Sequence, residues 1–308
     1  MLSCGDVGAM LDDIRTKPFI THDDVVRLNF IKSDGGYHFR RHFRQGLRSH
    51  VIEVLRGTDI DAEKFGIERD GIRRYPRARP LRILRLFRTR LAGLEDALDE
   101  IRRVKLVERY LAPDFLARSN EFIVEYVTAG GRGILLCGLQ EYVNGEILNP
   151  WGLLSGDRLI ETLYDHLFPP QEQPSHRSRW AETVRAEGAR FIACIKQMII
   201  ETGHVPDLAG MGNLVIVPSG VIKLVDINNI AQVAFTPEID LDDKGYPVCD
   251  KSIEALAHLE AKLLGNTIDP TERMYRFFLN PERMGRVSEK ERLFYRDFKF
   301  RNGMESAR

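Results

Sequence analysis

Three polar residues in the second half of the chain, Asp207, Asn213 and Asp226, constrain its fold more than any other feature. An amphipathic pattern over residues 180–202 predicts a long helix that leads into the segment with Asp207 and Asn213. Apolar runs on both sides of a Pro-Ser-Gly turn then predict a hairpin over residues 214–225. Because a hairpin reverses the chain, we expect Asp226 to return beside the other two residues.

This set of side chains has a specific chemical use. Phosphoryl transfer needs one carboxylate to orient the attacking hydroxyl, and an amide oxygen and a second carboxylate to hold the metal ions that bridge nucleotide phosphates. An aspartate buried in an apolar hairpin is costly unless it pairs or binds a metal. Residue chemistry alone leaves two interpretations open, a metal-phosphate site and carboxylates that are simply paired.

The segments before this group predict a small sheet and a helix. Residues 65–70 end in an Asp-Gly turn and residues 82–87 alternate in part, which favours strands, although a helix could also start at the second segment. Residues 94–111 have the apolar spacing of an amphipathic helix. Two apolar runs, 122–127 and 134–139, are joined by a glycine-rich turn and predict an antiparallel hairpin.

The segment over residues 204–226 resembles the catalytic loop and metal-binding segment of protein kinases and of the related aminoglycoside and choline kinases. The family pattern is His-x-Asp, a short gap, Asn, a hairpin and a further Asp. The resemblance implies that Asn213 and Asp226 are metal ligands and that Asp207 is the catalytic base. Two spacings depart from the pattern, because the gap between Asp207 and Asn213 is one residue longer and His204 stands one position too far from Asp207.

Upstream residues take further roles under the same resemblance. Arg85 stands where the family has its phosphate-binding lysine, and Glu100 resembles the glutamate that pairs with that lysine. Backbone groups near Glu141 and Val143, in the hinge after a strand, would bind the adenine edge. Arginine also suits phosphates because its planar guanidinium matches their oxygens, but its exchange for lysine is not conservative.

A glycine-rich phosphate loop, which protein kinases carry, is missing from this sequence. The nearby glycines, Gly35, Gly36 and Gly71, fit ordinary turns better. Asp250 opens an apolar helix and resembles the family aspartate that braces the catalytic loop, although a plain N-cap explains it equally well. Trp151 fits a packing residue better than a platform for substrate.

The resemblance implies a bilobal kinase-like α+β fold, with a small lobe built on an antiparallel sheet and a mainly helical large lobe. The predicted division is an N-terminal extension of unknown role over 1–60, a small lobe over 61–139 and a large lobe over 140–308. The implied function is ATP- and Mg²⁺-dependent phosphoryl transfer to a hydroxyl of a protein or small molecule. The alternative is a pseudokinase that binds nucleotide as a regulatory or scaffolding module, which explains the missing glycine loop but not the two metal ligands.

Charge and composition limit the other partners. The 45 Lys and Arg balance 45 Asp and Glu, which argues against bulk attraction to nucleic acid or membranes. Residues 37–90 hold 15 basic against 6 acidic side chains. Solvated arginines explain this excess better than nucleic-acid binding, since no stacking platform or known module accompanies it. Scattered cysteines and the absence of a signal peptide or long apolar stretch predict a cytoplasmic protein with no membrane partner.

Overall fold

A five-stranded antiparallel sheet organises the first of the two units into which the chain divides. The computed structural model describes residues 13–301 apart from 33–34, 44–45, 47, 129–130 and 171–173. The strands of this sheet are β1 (Tyr37–Arg41), β2 (Ser49–Arg56), β5 (Arg82–Phe87), β6 (Ser119–Thr128) and β7 (Gly131–Glu141). Their order is β1-β2-β5-β7-β6, with every neighbouring pair antiparallel.

The two faces of this sheet differ in chemistry because successive side chains of a strand point to opposite faces. One face packs into the core of the first unit, and apolar residues that precede the sheet in the chain belong to the same core. Its buried members are Ile14, Ile20, Val25, Leu28, Phe39, Ile52, Leu84, Leu86, Tyr126, Leu135 and Cys137. The other face carries buried polar side chains, among them Glu53, Arg85 and Gln140. A buried polar face is costly unless its groups find partners, so this face is the chemically distinctive one.

The remaining elements of the first unit are short. They are a 3-10 helix (Ile14–Thr16), α1 (His22–Val26), α2 (Gly57–Phe65) and the hairpin of β3 (Ile67–Arg69) and β4 (Ile72–Arg74). The predicted Asp-Gly turn is confirmed: Asp70 and Gly71 have φ of 55° and 74°, which the turn between two short strands requires. The strand starts at Ile67 rather than at residue 65, because α2 continues to Phe65.

The sheet already begins within the segment predicted as an N-terminal extension. β1 and β2 precede residue 61, and β2 pairs with β5 from Ser49 to Val54. The first unit includes the described residues up to Arg102 and residues 118–142, and the second unit comprises 103–117 and the described residues from Val143 onward. These units therefore have other bounds than the domains predicted from the sequence.

Helices dominate the second unit. They are α4 (Gly156–Leu167), α5 (Pro174–Thr202), α6 (Val248–Leu264), α7 (Arg273–Phe278) and α8 (Pro281–Arg301), and α3 (Leu94–Leu111) contributes its last turns. The amphipathic patterns predicted α3 with its observed bounds, and α5 with its observed end. α5 starts earlier than predicted, at Pro174, a residue that the first turn of a helix tolerates.

Two small sheets complete the second unit. One has the order β11-β10-β8, from β8 (Glu146–Ile147), β10 (Leu214–Ile216) and β11 (Ile222–Leu224). The other pairs β9 (His204–Pro206) with β12 (Ile230–Gln232). The predicted hairpins over 122–139 and 214–225 are therefore confirmed, as is the α+β class. None of the described helices is both long and apolar enough to cross a membrane.

Candidate active site

The three residues singled out in the sequence come together around one loop of the second unit. This loop, residues 207–213, follows β9 and leads into β10. The amide Nδ2 of Asn213 donates to the backbone carbonyl of Asp207 at 2.9 Å. The chain returns through β11, and the Val225 N–H donates to the Asn213 carbonyl at 2.8 Å. The next residue, Asp226, is close enough for its charge to raise the pKa of Asp207.

The extra residue between Asp207 and Asn213 does not separate them. The Asn213 N–H donates to the Gly210 carbonyl at 3.1 Å, which closes a turn. Gly212 within this turn has φ of 95°, a conformation that glycine adopts without steric cost. Gly212 thus accommodates the longer spacing, and the Asn213 amide still reaches the backbone carbonyl of Asp207.

The carboxylate of Asp207 is held on one oxygen and open on the other. Oδ1 accepts the backbone N–H groups of Ala209 and Gly210, each at 3.0 Å. Among the described residues, the one donor to Oδ2 is Asn229 Nδ2, at a long distance of 3.4 Å. Burial, and then the charge of Asp226, raise the pKa of Asp207 to about 6 against the lowering effect of the two backbone N–H groups. A carboxylate of this kind is mostly ionised at neutral pH and can accept a proton at Oδ2.

Asn213 is oriented for a cation by its own hydrogen bond. The side chain is buried, and its Nδ2 donates to the Asp207 carbonyl. No described residue donates a hydrogen bond to its Oδ1. An amide oxygen and the carboxylate of Asp226 are oxygen ligands of the type that Mg²⁺ binds, usually with phosphate oxygens completing its shell. The described part of the chain has no group of three or more His, Cys, Asp or Glu placed to hold a metal. A metal ion held by Asn213 and Asp226 would thus need most of its ligands from outside the described residues.

Gly210 makes this orientation possible, and its replacement gives the first prediction. A Cβ at Gly210 would lie 2.4 Å from Asn213 Nδ2 and 2.7 Å from its Oδ1. Gly210→Ala must therefore displace the Asn213 amide, and we expect Mg²⁺-dependent affinity for ATP to fall by about tenfold or more. Gly285→Ala on α8 is the matched control, because a Cβ there meets open space. Titration calorimetry with MgATP checks both variants, and unchanged affinity in Gly210→Ala would remove Asn213 from the site.

Residues that the sequence analysis missed hold this loop in place. The Trp151 indole Nε1 donates to the Ala209 carbonyl at 2.8 Å, so Trp151 supports the loop rather than only packing. The Leu208 N–H donates to Ser252 Oγ at 3.2 Å, and the Asp207 N–H donates to the Asn229 carbonyl at 2.9 Å. These contacts join positions far apart in the sequence. The only local sign of these contacts in the sequence was the pair Asn228 and Asn229, two polar residues between Ile227 and Ile230.

Asp250 has a different role from either one considered for it in the sequence. It lies within the first turn of α6, where its carboxylate binds the Arg283 guanidinium through two hydrogen bonds of 2.6 and 3.1 Å. Both side chains are buried. Arg283 also donates to the carbonyls of Thr236 and Glu238. Asp250 therefore anchors α8 and the segment before α6, and Ser252, two residues further along α6, is the side chain that braces the loop.

His204 makes a local contact. Its ring Nδ1 lies 2.7 Å from the Thr202 carbonyl, at the start of β9. This contact is the kind that an ordinary histidine makes at a helix end.

No protein-family model and no curated protein matches this chain.

The predicted phosphate-binding arginine lies in the first unit, on β5. Arg85 is buried on the polar face of the sheet, in one cross-strand row with Gly138 and Glu121. A Cβ at Gly138 would lie 3.4 Å from Glu121 Oε1 and 3.9 Å from the Arg85 Cβ. Gly138 thus leaves room for two charged side chains in this row. The pairing of Arg85 with Glu100, which lies on α3, stays a prediction.

The predicted adenine contacts fall at the end of β7 and just after it. The Glu141 N–H donates to the Arg118 carbonyl at 2.8 Å, and the Glu141 carboxylate binds the Arg118 side chain at 3.2 Å. The Glu141 N–H is therefore occupied within the first unit, and an adenine contact at this residue needs another backbone group. Val143 is the first residue of the second unit's later segment, and its part in adenine binding stays a prediction.

Proposed function

We propose that this chain is an ATP- and Mg²⁺-dependent phosphotransferase that acts on a hydroxyl, with a bilobal kinase-like fold. The observation that carries the proposal is the meeting of Asp207, Asn213 and Asp226 around one loop, with Asp226 close enough for its charge to raise the pKa of Asp207. Two aspartates and an oriented amide form the group that phosphoryl transfer requires.

Each side chain has a distinct task in this proposal. Asn213 and Asp226 hold Mg²⁺ through Oδ1 and the carboxylate. Bound Mg²⁺ neutralises the phosphate charge that develops during transfer. Asp207 orients the attacking hydroxyl and accepts its proton at Oδ2, because Oδ1 is already occupied by Ala209 and Gly210. Arg85, with Glu100 as its partner, is the proposed phosphate-binding residue of the first unit.

One observation favours a second candidate, a pseudokinase that binds nucleotide without transferring phosphate. Both hydrogen bonds to Asp207 Oδ1 come from the backbone of its own loop. An aspartate that only shapes a loop makes the same bonds. The missing glycine loop and the arginine at position 85 are consistent with this candidate. Burial, the main cause of the raised pKa of Asp207, acts on an aspartate in either role, so turnover measurements decide between the two candidates.

Nucleotide binding by the wild-type protein tests the feature that both candidates share. Thermal unfolding is measured with ATP alone, with Mg²⁺ alone and with both. A ligand that binds only the folded state stabilises it by about 2.7 kcal/mol at a hundredfold excess over its dissociation constant, which shifts the midpoint by several degrees in a chain of this size. We expect this shift only when ATP and Mg²⁺ are both present. An equal shift with ATP alone, or no shift, contradicts the proposed metal site.

A further inference from the structure

The side chain of Asn228 has an unusual environment. It is 7% exposed, and none of the described residues forms a hydrogen bond with its Oδ1 or Nδ2. A buried amide without partners destabilises the folded state, and most buried polar groups in proteins are paired. Leucine would fill a comparable space without this cost. The presence of an amide here therefore points to a partner other than the residues that the structure describes.

The position of Asn228 identifies the site to which that partner belongs. Residues 225–229 are held to the loop at both ends, by the bond from Val225 to the Asn213 carbonyl and by the bond from Asp207 to the Asn229 carbonyl. Ile227, in the middle of this segment, is fully buried in the core of the second unit. Asn228 thus lies in the five-residue segment that also presents Asp226 and Asn229 to Asp207.

The chemistry of an amide matches the ligand expected at this site. Its oxygen can coordinate a hard cation and its NH₂ group can donate to an anionic oxygen. Carboxylates alone repel phosphate, and Asp207 and Asp226 both carry that charge when ionised. A neutral side chain that donates to phosphate oxygens beside them reduces this repulsion without adding a further charge.

We propose that Asn228 is a ligand-binding residue whose amide makes its polar contacts with the magnesium-bound phosphates of the nucleotide. This inference rests on the proposed function and extends it by one residue. It also explains why an amide is buried without a partner in the free protein. The stability of the free protein is then expected to be lower than it would be with an apolar side chain at this position.

Asn228→Leu tests the inference through two independent measurements. We expect its thermal unfolding midpoint without nucleotide to equal or exceed that of the wild type, because the unpaired amide is gone. We expect its dissociation constant for MgATP to rise by about tenfold or more, the scale of a lost hydrogen bond to a charged group. If Asn228→Leu does not fold, Asn228→Ala provides the same comparison.

Asn280→Leu is the matched control, an asparagine whose amide oxygen is occupied. Its Oδ1 accepts the N–H groups of Glu282 and Arg283 at 3.0 and 3.3 Å, so its loss should lower the midpoint and leave MgATP affinity unchanged. A lower midpoint in nucleotide-free Asn228→Leu, or an unchanged dissociation constant, overturns the inference and leaves the proposed function standing. If the wild type does not bind MgATP, both fall together.

Discussion

Replacing Asp226 with asparagine is expected to abolish Mg²⁺-dependent nucleotide binding and any phosphoryl transfer. The phosphate charge then loses the carboxylate that holds its bridging cation, and an amide supplies only a neutral oxygen in its place. Thermal unfolding with MgATP should show no shift in Asp226→Asn, against the shift expected for the wild type. Asp165→Asn removes one exposed carboxylate from α4 and serves as the charge-matched control.

A second readout of Asp226→Asn does not depend on nucleotide. The charge of Asp226 is one cause of the raised pKa of Asp207. Its removal should therefore bring the pKa of Asp207 closer to its ordinary value of 3.8, as followed by NMR titration of the side-chain carboxyl carbon. An unchanged pKa would mean that the two carboxylates do not share one site, and would contradict the geometry on which the proposed function rests.

Asp207→Asn is expected to lower turnover by about a hundredfold or more while nucleotide affinity stays nearly unchanged. Asp207 contacts the hydroxyl in the proposed mechanism and does not hold the metal. Asparagine keeps an oxygen that can accept from Ala209 and Gly210, so the loop should persist. Phosphoryl transfer is measured from labelled ATP and affinity by calorimetry. If wild-type protein binds MgATP but shows no hydrolysis or autophosphorylation above this variant, the pseudokinase alternative replaces the enzyme.

The raised pKa of Asp207 also sets the pH dependence of turnover and stability. A base must be ionised to accept a proton, so wild-type turnover should fall as the pH drops below about 6. The free energy of unfolding, in contrast, should rise as the pH drops. The pKa of Asp207 is higher in the folded state than in the unfolded state. Its ionisation therefore leaves the free energy of unfolding unchanged below pH 3.8 and lowers that free energy by its full amount above about pH 6.

This cost is on the order of 3 kcal/mol if the whole pKa difference is expressed in the folded state. Asp207→Asn never ionises, so it should be more stable than the wild type near neutral pH and about equally stable near pH 4. Denaturant unfolding at the two pH values measures this difference directly. A variant less stable than the wild type near neutral pH would show that the carboxylate supports the loop rather than serving a catalytic task.

The parts of the fold that followed from the sequence are those with a local pattern. The apolar spacing gave α3 with its observed bounds, and the turn residues located the hairpins of β6 with β7 and of β10 with β11. β2 has no alternation of apolar and polar residues, because several of its polar residues are buried and bind partners elsewhere in the chain. His50 Nε2 lies 2.9 Å from the Ile14 carbonyl, and Glu53 binds Arg40 and His42. Buried polar residues of this kind hide a strand from any argument based on hydrophobicity.

The site divides in a similar way. Asp207, Asn213 and Asp226 could be predicted together because a helix, a loop and a hairpin with recognisable signals bring them to one place. The supporting contacts could not, since Ser252 and Trp151 reach the loop from distant parts of the chain. The role of Asp250 was also out of reach, because its partner Arg283 lies on another helix. Such pairings depend on tertiary packing, which a single sequence does not reveal.

The most direct test of the proposed site is a crystal structure of the protein with Mg²⁺ and a nonhydrolysable ATP analogue. We predict a metal ion at about 2.0 to 2.1 Å from Asn213 Oδ1 and from the Asp226 carboxylate, with phosphate oxygens completing its octahedral shell. Nucleotide phosphates bound elsewhere in the protein, with no metal between these two side chains, would contradict the account.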